Sequence, residues 1–259
     1  MKRILISLAL ILPCLTSQLN LFAQEAGIPQ DSVVSLQKRS DPKSLHIKQF
    51  ILPSAMFLYG VTTLHKGETM NVNKELREEL NIEYTHPQAH FDNYLQYAPA
   101  ASFYALKAMG VPSQHGWGEA SMIYLTSNVI LGVSVYSLKH LTHEWRPDHS
   151  DQLSFPSGHT ATAFAGAEFL REEYKDVSPW IGVAGYAMAT ATGFMRMYNN
   201  EHWLGDVVAG AGIGIASTRI AYWLYPLIER KFSKGKPLHT MVMPGYGNGV
   251  YSVAMVRQF

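Results

Sequence analysis

Three short polar clusters interrupt an otherwise apolar chain, and each holds residue types suited to an anion. In KHLTHEWRP, Lys139 and Arg146 stand seven positions apart where a long apolar run gives out. Cations are ordinary at the carboxyl end of a helix, because they meet the negative end of its dipole. In FPSGHT, Pro156, Ser157 and Gly158 form a turn, and His159 opens the next apolar run. A turn entering a helix offers free backbone N–H groups and a positive dipole end to an anion; the plainer reading is an N-cap by Ser157. In RMYNNEHWLGD, Arg196 closes one apolar run, while His202 and Asp206, four positions apart, share a helix face at the start of the next. A carboxylate beside an imidazole fixes its tautomer and stabilises its cation, as a nucleophile or base requires. The plainer reading is a capping Asp beside a buried His.

The runs between the clusters have to bring them together. Six apolar stretches, at about 47–65, 94–109, 117–139, 160–172, 178–195 and 204–228, read as helices. In an antiparallel bundle with short links, the ends bearing Lys139 and Arg146, His159, Arg196, and His202 with Asp206 fall on one side. Three cations, two histidines, an aspartate and an anion-type turn then meet. That set suits a phosphate monoester or diphosphate, whose equatorial oxygens need neutralising as phosphorus is attacked. The stretch 120–138 has no charge, and 177–195 none until Arg196, so both approach the length of a membrane span. They are rich in Ala, Gly, Ser and Thr, which permit close helix packing in lipid or in a buried bundle. The charged stretch 73–83, NKELREELNIE, reads as a solvated surface helix without a function. After Pro237, two extended runs flank a Gly-rich turn and predict a short hairpin or tail over 237–259.

Composition narrows the function classes. Of 259 residues, 47% are hydrophobic and 16% charged, which excludes intrinsic disorder. A net charge of +1 leaves no basic field to hold a nucleic-acid backbone. Lys2 and Arg3, the apolar run Ile4 to Leu12, and Ala23 before Gln24 read as a secretory signal over 1–23, cleaved after Ala23. Residues 24–44 read as a flexible lead-in to a helical domain over 45–236. Cleavage would remove Cys14, the one cysteine, so the exported chain would have neither disulfide nor thiolate.

The spacing Lys139-x6-Arg146-Pro147, then Pro156-Ser157-Gly158-His159, then Arg196-x5-His202-x3-Asp206 resembles the three motifs of the type 2 phosphatidic acid phosphatase and vanadium haloperoxidase superfamily. The resemblance spans about residues 90–228. One position departs: Met195 stands where the family usually has Ser before the third-motif arginine. The resemblance implies an all-α fold, a six-helix bundle, to which the C-terminal β-hairpin read from the extended runs would be appended. It implies His202 as the nucleophile, Asp206 orienting it, and His159 protonating the leaving group and then activating water. It implies Lys139, Arg146, Ser157, Gly158 and Arg196 as phosphate-binding residues, with neither metal nor other cofactor.

The expected activity is hydrolysis of lipid-linked phosphate monoesters or diphosphates: lipid A, undecaprenyl diphosphate, phosphatidic acid or phosphatidylglycerophosphate. The expected partners are a phosphorylated lipid and a membrane surface or bilayer, with no nucleic acid. The expected location is the bacterial envelope, facing the periplasm. A soluble periplasmic acid phosphatase is the alternative, a haloperoxidase a lesser one, and a non-enzymatic phosphate binder has no use for the aspartate-backed histidine. A zinc site from His140, His143 and His149 near Asp148 and Asp151 is opposed by Lys139 and Arg146, which repel a cation. Trp145 and Trp203 flank the catalytic loops and suit either acyl-chain contact or packing beneath the loops.

Overall fold

The computed structural model describes residues 47–64, 68–82, 87–232, 240–247 and 250–257. The expected signal segment and lead-in lie outside them. Eight α-helices occur among the described residues: α1 (Ile51–Thr63), α2 (Glu68–Arg77), α3 (Asp92–Leu95), α4 (Ala98–Ala108), α5 (Trp117–Thr142), α6 (Gly158–Tyr174), α7 (Pro179–Tyr198) and α8 (Leu204–Phe232). The six apolar stretches coincide with α1, α4, α5, α6, α7 and α8. α2 and the one-turn α3 are additional, and Glu78–Ile82 prolongs α2 with π-helical geometry.

Local chemistry sets the helix ends that matter for the site. Gly116 caps the start of α5, and its N–H donates to the Glu119 carboxylate at 3.0 Å. The helix stops at His143, which takes a left-handed φ of 47°. Ser157 caps α6 by accepting from the Thr160 N–H. Ser178 caps α7, with Pro179 preorganised in its first turn. At the start of α8 the Asp206 carboxylate accepts from the Trp203 N–H at 2.9 Å, which meets one of the orphan donors there.

α6 is the central helix and packs against α7 and α8; α8 packs in turn against α1 and α5. Ala161, Ala163, Ala165 and Ala167 of α6 are buried, and their small side chains let the backbones approach closely. Gly210 of α8 shows how closely: a Cβ there would lie 2.5 Å from the Ser157 carbonyl oxygen. The bulk of the core lies toward the other end of α6, where Phe103, Phe169 and Tyr174 are fully buried. The Phe103 and Phe169 rings stand 4.6 Å apart between centroids.

Within the 73–82 stretch, Lys74, Glu75, Glu78 and Glu79 are exposed as a surface helix requires, but the other side is packed. Asn73 is 2% exposed. Its side-chain oxygen accepts from the Gly205 N–H at 3.1 Å, and the Asn81 amide donates to the Met197 carbonyl at 3.1 Å. Amides at 73 and 81 therefore fasten this charged segment to the ends of α7 and α8, a pairing its high charge hides in the sequence. Beyond α8, Thr240–Gly247 and Val250–Arg257 are extended and pair antiparallel, with Gly247 opposite Val250.

Among the described residues, two helical segments, Trp117–Thr142 and Leu204–Glu229, are long and apolar enough to cross a membrane. They differ in surroundings. On α5, Met122, Leu125, Val129, Val133 and Tyr136 lie exposed at three- and four-residue spacing, so one whole apolar face is uncovered. The α8 segment is mostly buried inside the bundle.

Candidate active site

The loops 143–157 and 199–203 join α5 to α6 and α7 to α8, so the outgoing end of one helix meets the incoming end of the next. Lys139, in the last turn of α5, turns back over the first loop and donates to the Leu153 carbonyl, with the Ser154 carbonyl at 3.4 Å. Arg146 lies within that loop. Its Nε donates to Asp151 at 2.9 Å and one terminal nitrogen to Glu201 at 3.1 Å. Arg196, in the last turn of α7, is 3% exposed and pairs with Asp92 at 2.5 Å and with Glu201. A single carboxylate oxygen of Glu201 thus joins Arg146 to Arg196. The Arg196 Nε is buried without a hydrogen-bond partner, an unmet donor at the centre of the cluster.

His202 and Asp206 stand on one face at the start of α8, both buried, with Nδ1 and Oδ2 3.4 Å apart. The separation exceeds a good hydrogen bond because the same Asp206 oxygen also accepts from the Ser154 hydroxyl at 2.5 Å and from the Trp203 N–H. Ser154 also lies 3.5 Å from the His202 ring nitrogen. Burial pushes the His202 imidazole well below its ordinary range, and the Lys139, Arg196 and Arg146 cations push the same way. His202 is therefore neutral at neutral pH, as a nitrogen nucleophile must be.

His159, second residue of α6, is half-buried, and its Nε2 meets the Asn93 side-chain oxygen at 2.9 Å. Burial and then the Arg196 cation lower it to about 4, with Arg146 and Lys139 adding and Asp92 opposing. The same three cations lower both His159 and His202. Ser157 is fully buried, its hydroxyl engaged with Thr160 as the helix cap at 2.9 Å between oxygens. Gly158 follows as the first residue of α6. Among the described residues, no group of three His, Cys, Asp or Glu side chains is placed to hold a metal ion, so the 140–151 histidines form no such cluster.

Six contributors are not singled out by the sequence: Asp92, Asn93, Ser154, Asn199, Asn200 and Glu201. Asp92 and Asn93 arrive from α3, more than a hundred residues before Arg196 in the first case. Ser154 and Glu201 lie inside or beside the motifs and carried a visible signal only in being polar beside a catalytic-type residue. Asn199 ties α3 to the second loop: its amide donates to the Ala89 carbonyl at 2.9 Å and to Asp92 at 3.2 Å. Asn200 takes the left-handed region at φ 58°, which Asn tolerates better than most residues, and so turns the chain to present Glu201 and His202 together. A small, shallow crevice borders His202, Trp203, Pro147 and the 73–81 segment. There Arg77 donates to Asn200 at 3.0 Å and lies over the Trp203 ring at 5.7 Å. The Trp203 indole donates to the Trp145 carbonyl at 2.8 Å, which locks the two loops to each other.

Comparison with known proteins gives the following. Residues 120–230 match the family model described as PAP2 superfamily. A lipid A 1-phosphatase of Porphyromonas gingivalis is 36% identical over 163 residues, covering 62% of this chain and 37% of that protein. The chain therefore matches little more than a third of that curated relative's length. Aquifex aeolicus LpxE, a crystal structure, is 26% identical, covers 58% of this chain and 94% of its own, and gives a TM-score of 0.45. The crystal structure of a transmembrane PAP2 type phosphatidylglycerolphosphate phosphatase from Bacillus subtilis is 17% identical, covers 71% and 99%, and gives 0.44.

Proposed function

Residues 120–230 match the PAP2 superfamily, and from that premise we propose that the chain is a member of it and a metal-independent phosphatase acting on lipid-linked phosphate monoesters or diphosphates. The observation that carries this reading is the pairing of Arg146 and Arg196 through Glu201, immediately before His202, which is itself backed by Asp206. His202 attacks phosphorus and the P–O bond to the lipid breaks. His159 gives its proton to the departing oxygen, then takes one from water as that water cleaves the phosphohistidine. Lys139, Arg146 and Arg196 bind the phosphoryl oxygens, with the Gly158 backbone at the start of α6. The unmet Arg196 Nε donor is one that a phosphoryl oxygen would satisfy. Ser157 serves through the turn it caps.

A lipid substrate is supported by the relative named as a lipid A 1-phosphatase and by the uncovered apolar face of α5, which suits contact with acyl chains. The reading includes a location in the bacterial cell envelope, membrane-associated and facing the periplasm. The domain scheme belongs to the same reading: a signal over 1–23, a lead-in over 24–44, a six-helix catalytic bundle within 45–236 and a hairpin over 237–259.

The test is turnover by the purified full chain in detergent, across lipid phosphates and their short-chain or water-soluble counterparts. Long-chain lipids are expected to give much the higher kcat/KM. EDTA is expected to leave activity unchanged, and vanadate to inhibit. Equal efficiency on glycerol phosphate and its diacyl lipid would replace this reading with a soluble acid phosphatase. Loss on chelation, restored by zinc or magnesium, would overturn the metal-independent mechanism.

A further inference from the structure

The two arginines assigned to the phosphoryl group already share an anion. Each has one carboxylate of its own: Asp151 on the Arg146 Nε at 2.9 Å, and fully buried Asp92 on Arg196 at 2.5 Å. Glu201 is the carboxylate they hold in common, through one oxygen. It differs from Asp92 in its freedom, since its side chain is 18% exposed and Asp92 is closed off completely. It also sits immediately before His202, on the turn that the left-handed Asn200 creates. An oxygen accepting from two guanidinium groups beside the nucleophile stands where a phosphoryl oxygen has to stand.

We propose that Glu201 is a resident anion that fills the phosphate site between turnovers and is displaced by the phosphoryl group. The proposal rests on the phosphatase reading in that Arg146 and Arg196 take up phosphate. A phosphate dianion and the Glu201 carboxylate cannot share two guanidinium groups, because like charges in a water-poor site repel strongly. Glu201 has to swing toward its exposed side when substrate enters. On product release it returns and restores the second carboxylate to each arginine, beside Asp151 and Asp92. The competition weakens the binding of every phosphate by the same factor, substrate and inorganic product alike. Its benefit falls on product departure, where tight phosphate binding would slow turnover.

Glu201→Gln tests this, since the amide keeps the shape and one acceptor but removes the charge. Binding of inorganic phosphate to the full chain in detergent is measured by titration calorimetry, beside steady-state kinetics on a lipid phosphate. The variant is expected to bind phosphate roughly tenfold more tightly, the scale of one net charge-assisted hydrogen bond. Its KM should fall by a similar factor and its kcat should not rise. A carboxylate that merely held the arginines in place would give the opposite, weaker phosphate binding. Glu201→Asp, which keeps the charge on a shorter arm, provides a second variant should the amide fail to fold; it is expected to tighten binding by less. Unchanged or weaker phosphate binding in a folded variant, with lipid turnover intact in the parent, overturns the proposal and leaves the phosphatase reading standing. Absence of both phosphate binding and lipid turnover in the parent overturns both.

Discussion

Among the described residues, a histidine pairs with a carboxylate at each end of the bundle. His115, before α5, meets Glu173 of α6 at 2.8 Å, whereas His202 and Asp206 are 3.4 Å apart. By distance alone the first pair is the better one. Glu173 is fully satisfied, accepting also from the His115 N–H at 3.1 Å and the Tyr222 hydroxyl at 2.7 Å. The cation nearby, Lys107, spends its ammonium on Ser113 and the His115 carbonyl, each at 2.5 Å. At the other end, three cations crowd His202, a second histidine faces the same space, and an arginine donor stays unmet. The difference teaches that a histidine–carboxylate pair is not a site by itself. The closed, saturated network fastens α5, α6 and α8; the loose, cation-rich one is left able to bind something.

The sharpest way to break that contrast is to delete each histidine. His202→Ala is expected to cut turnover by about a thousandfold or more, as loss of a nucleophile does, with the melting temperature nearly unchanged. Labelled substrate should no longer yield acid-labile phosphohistidine. Substantial residual activity would remove His202 from the nucleophile's role. Asn93→Ala comes next. Asn93 touches His159 and not the phosphate cluster, so it is a positioning residue. Its loss is expected to lower kcat roughly tenfold, the low end of what a positioned acid–base group contributes, with KM little changed. A change confined to KM would place Asn93 in binding instead. His115→Ala follows, with kcat/KM unchanged and stability reduced by about 1–2 kcal/mol, the cost of leaving a buried acceptor underused. Denaturant unfolding checks the second half; a large loss of turnover would mean that the two ends are coupled.

Legibility in the sequence followed the range of each interaction. The helices α1 and α4 to α8 are long apolar runs closed by strong local signals, such as Ser157 and Ser178 as caps, and periodicity reads such elements directly. Lys139, Arg146, His159, Arg196, His202 and Asp206 were legible because their spacing repeats one rule: polar residues where apolar helices end. Asp92 and Asn93 obey no such rule. Their partners lie 104 and 66 residues away, and nothing local marks an Asp–Asn pair as facing an arginine and a histidine. In the 73–82 segment only the solvated side was legible, for a related reason. Its charges describe the side that faces water, while Asn73 and Asn81, which face the site, are ordinary surface residues by type. Glu201 was visible as a letter but not as a contact, since only the Asn199–Asn200 turn aims it at both arginines.

The smallest expected effect concerns His159 and separates the cation-rich end from the saturated one by pH. His159 is lowered to about 4, first by burial and then by Arg196. In the unfolded chain the imidazole returns to its ordinary value of about 6.5. Above that pH both states are neutral and His159 contributes nothing to the pH dependence. Between about 6.5 and 4 the unfolded chain binds a proton that the folded protein refuses, so stability falls as pH falls through this window. His159→Asn removes the titrating group, and the variant should gain stability relative to the parent at pH 5 compared with pH 8. The comparison between the two pH values matters more than either value, because the substitution also alters the contact with Asn93. Bound vanadate adds negative charge beside His159 and should raise its pKa, as a proton donor to the leaving group requires, so the parent's pH dependence should flatten with vanadate present. Denaturant unfolding of both proteins at pH 5 and pH 8, with and without vanadate, measures all of this. An identical pH dependence in parent and variant would show that the three cations do not act on His159.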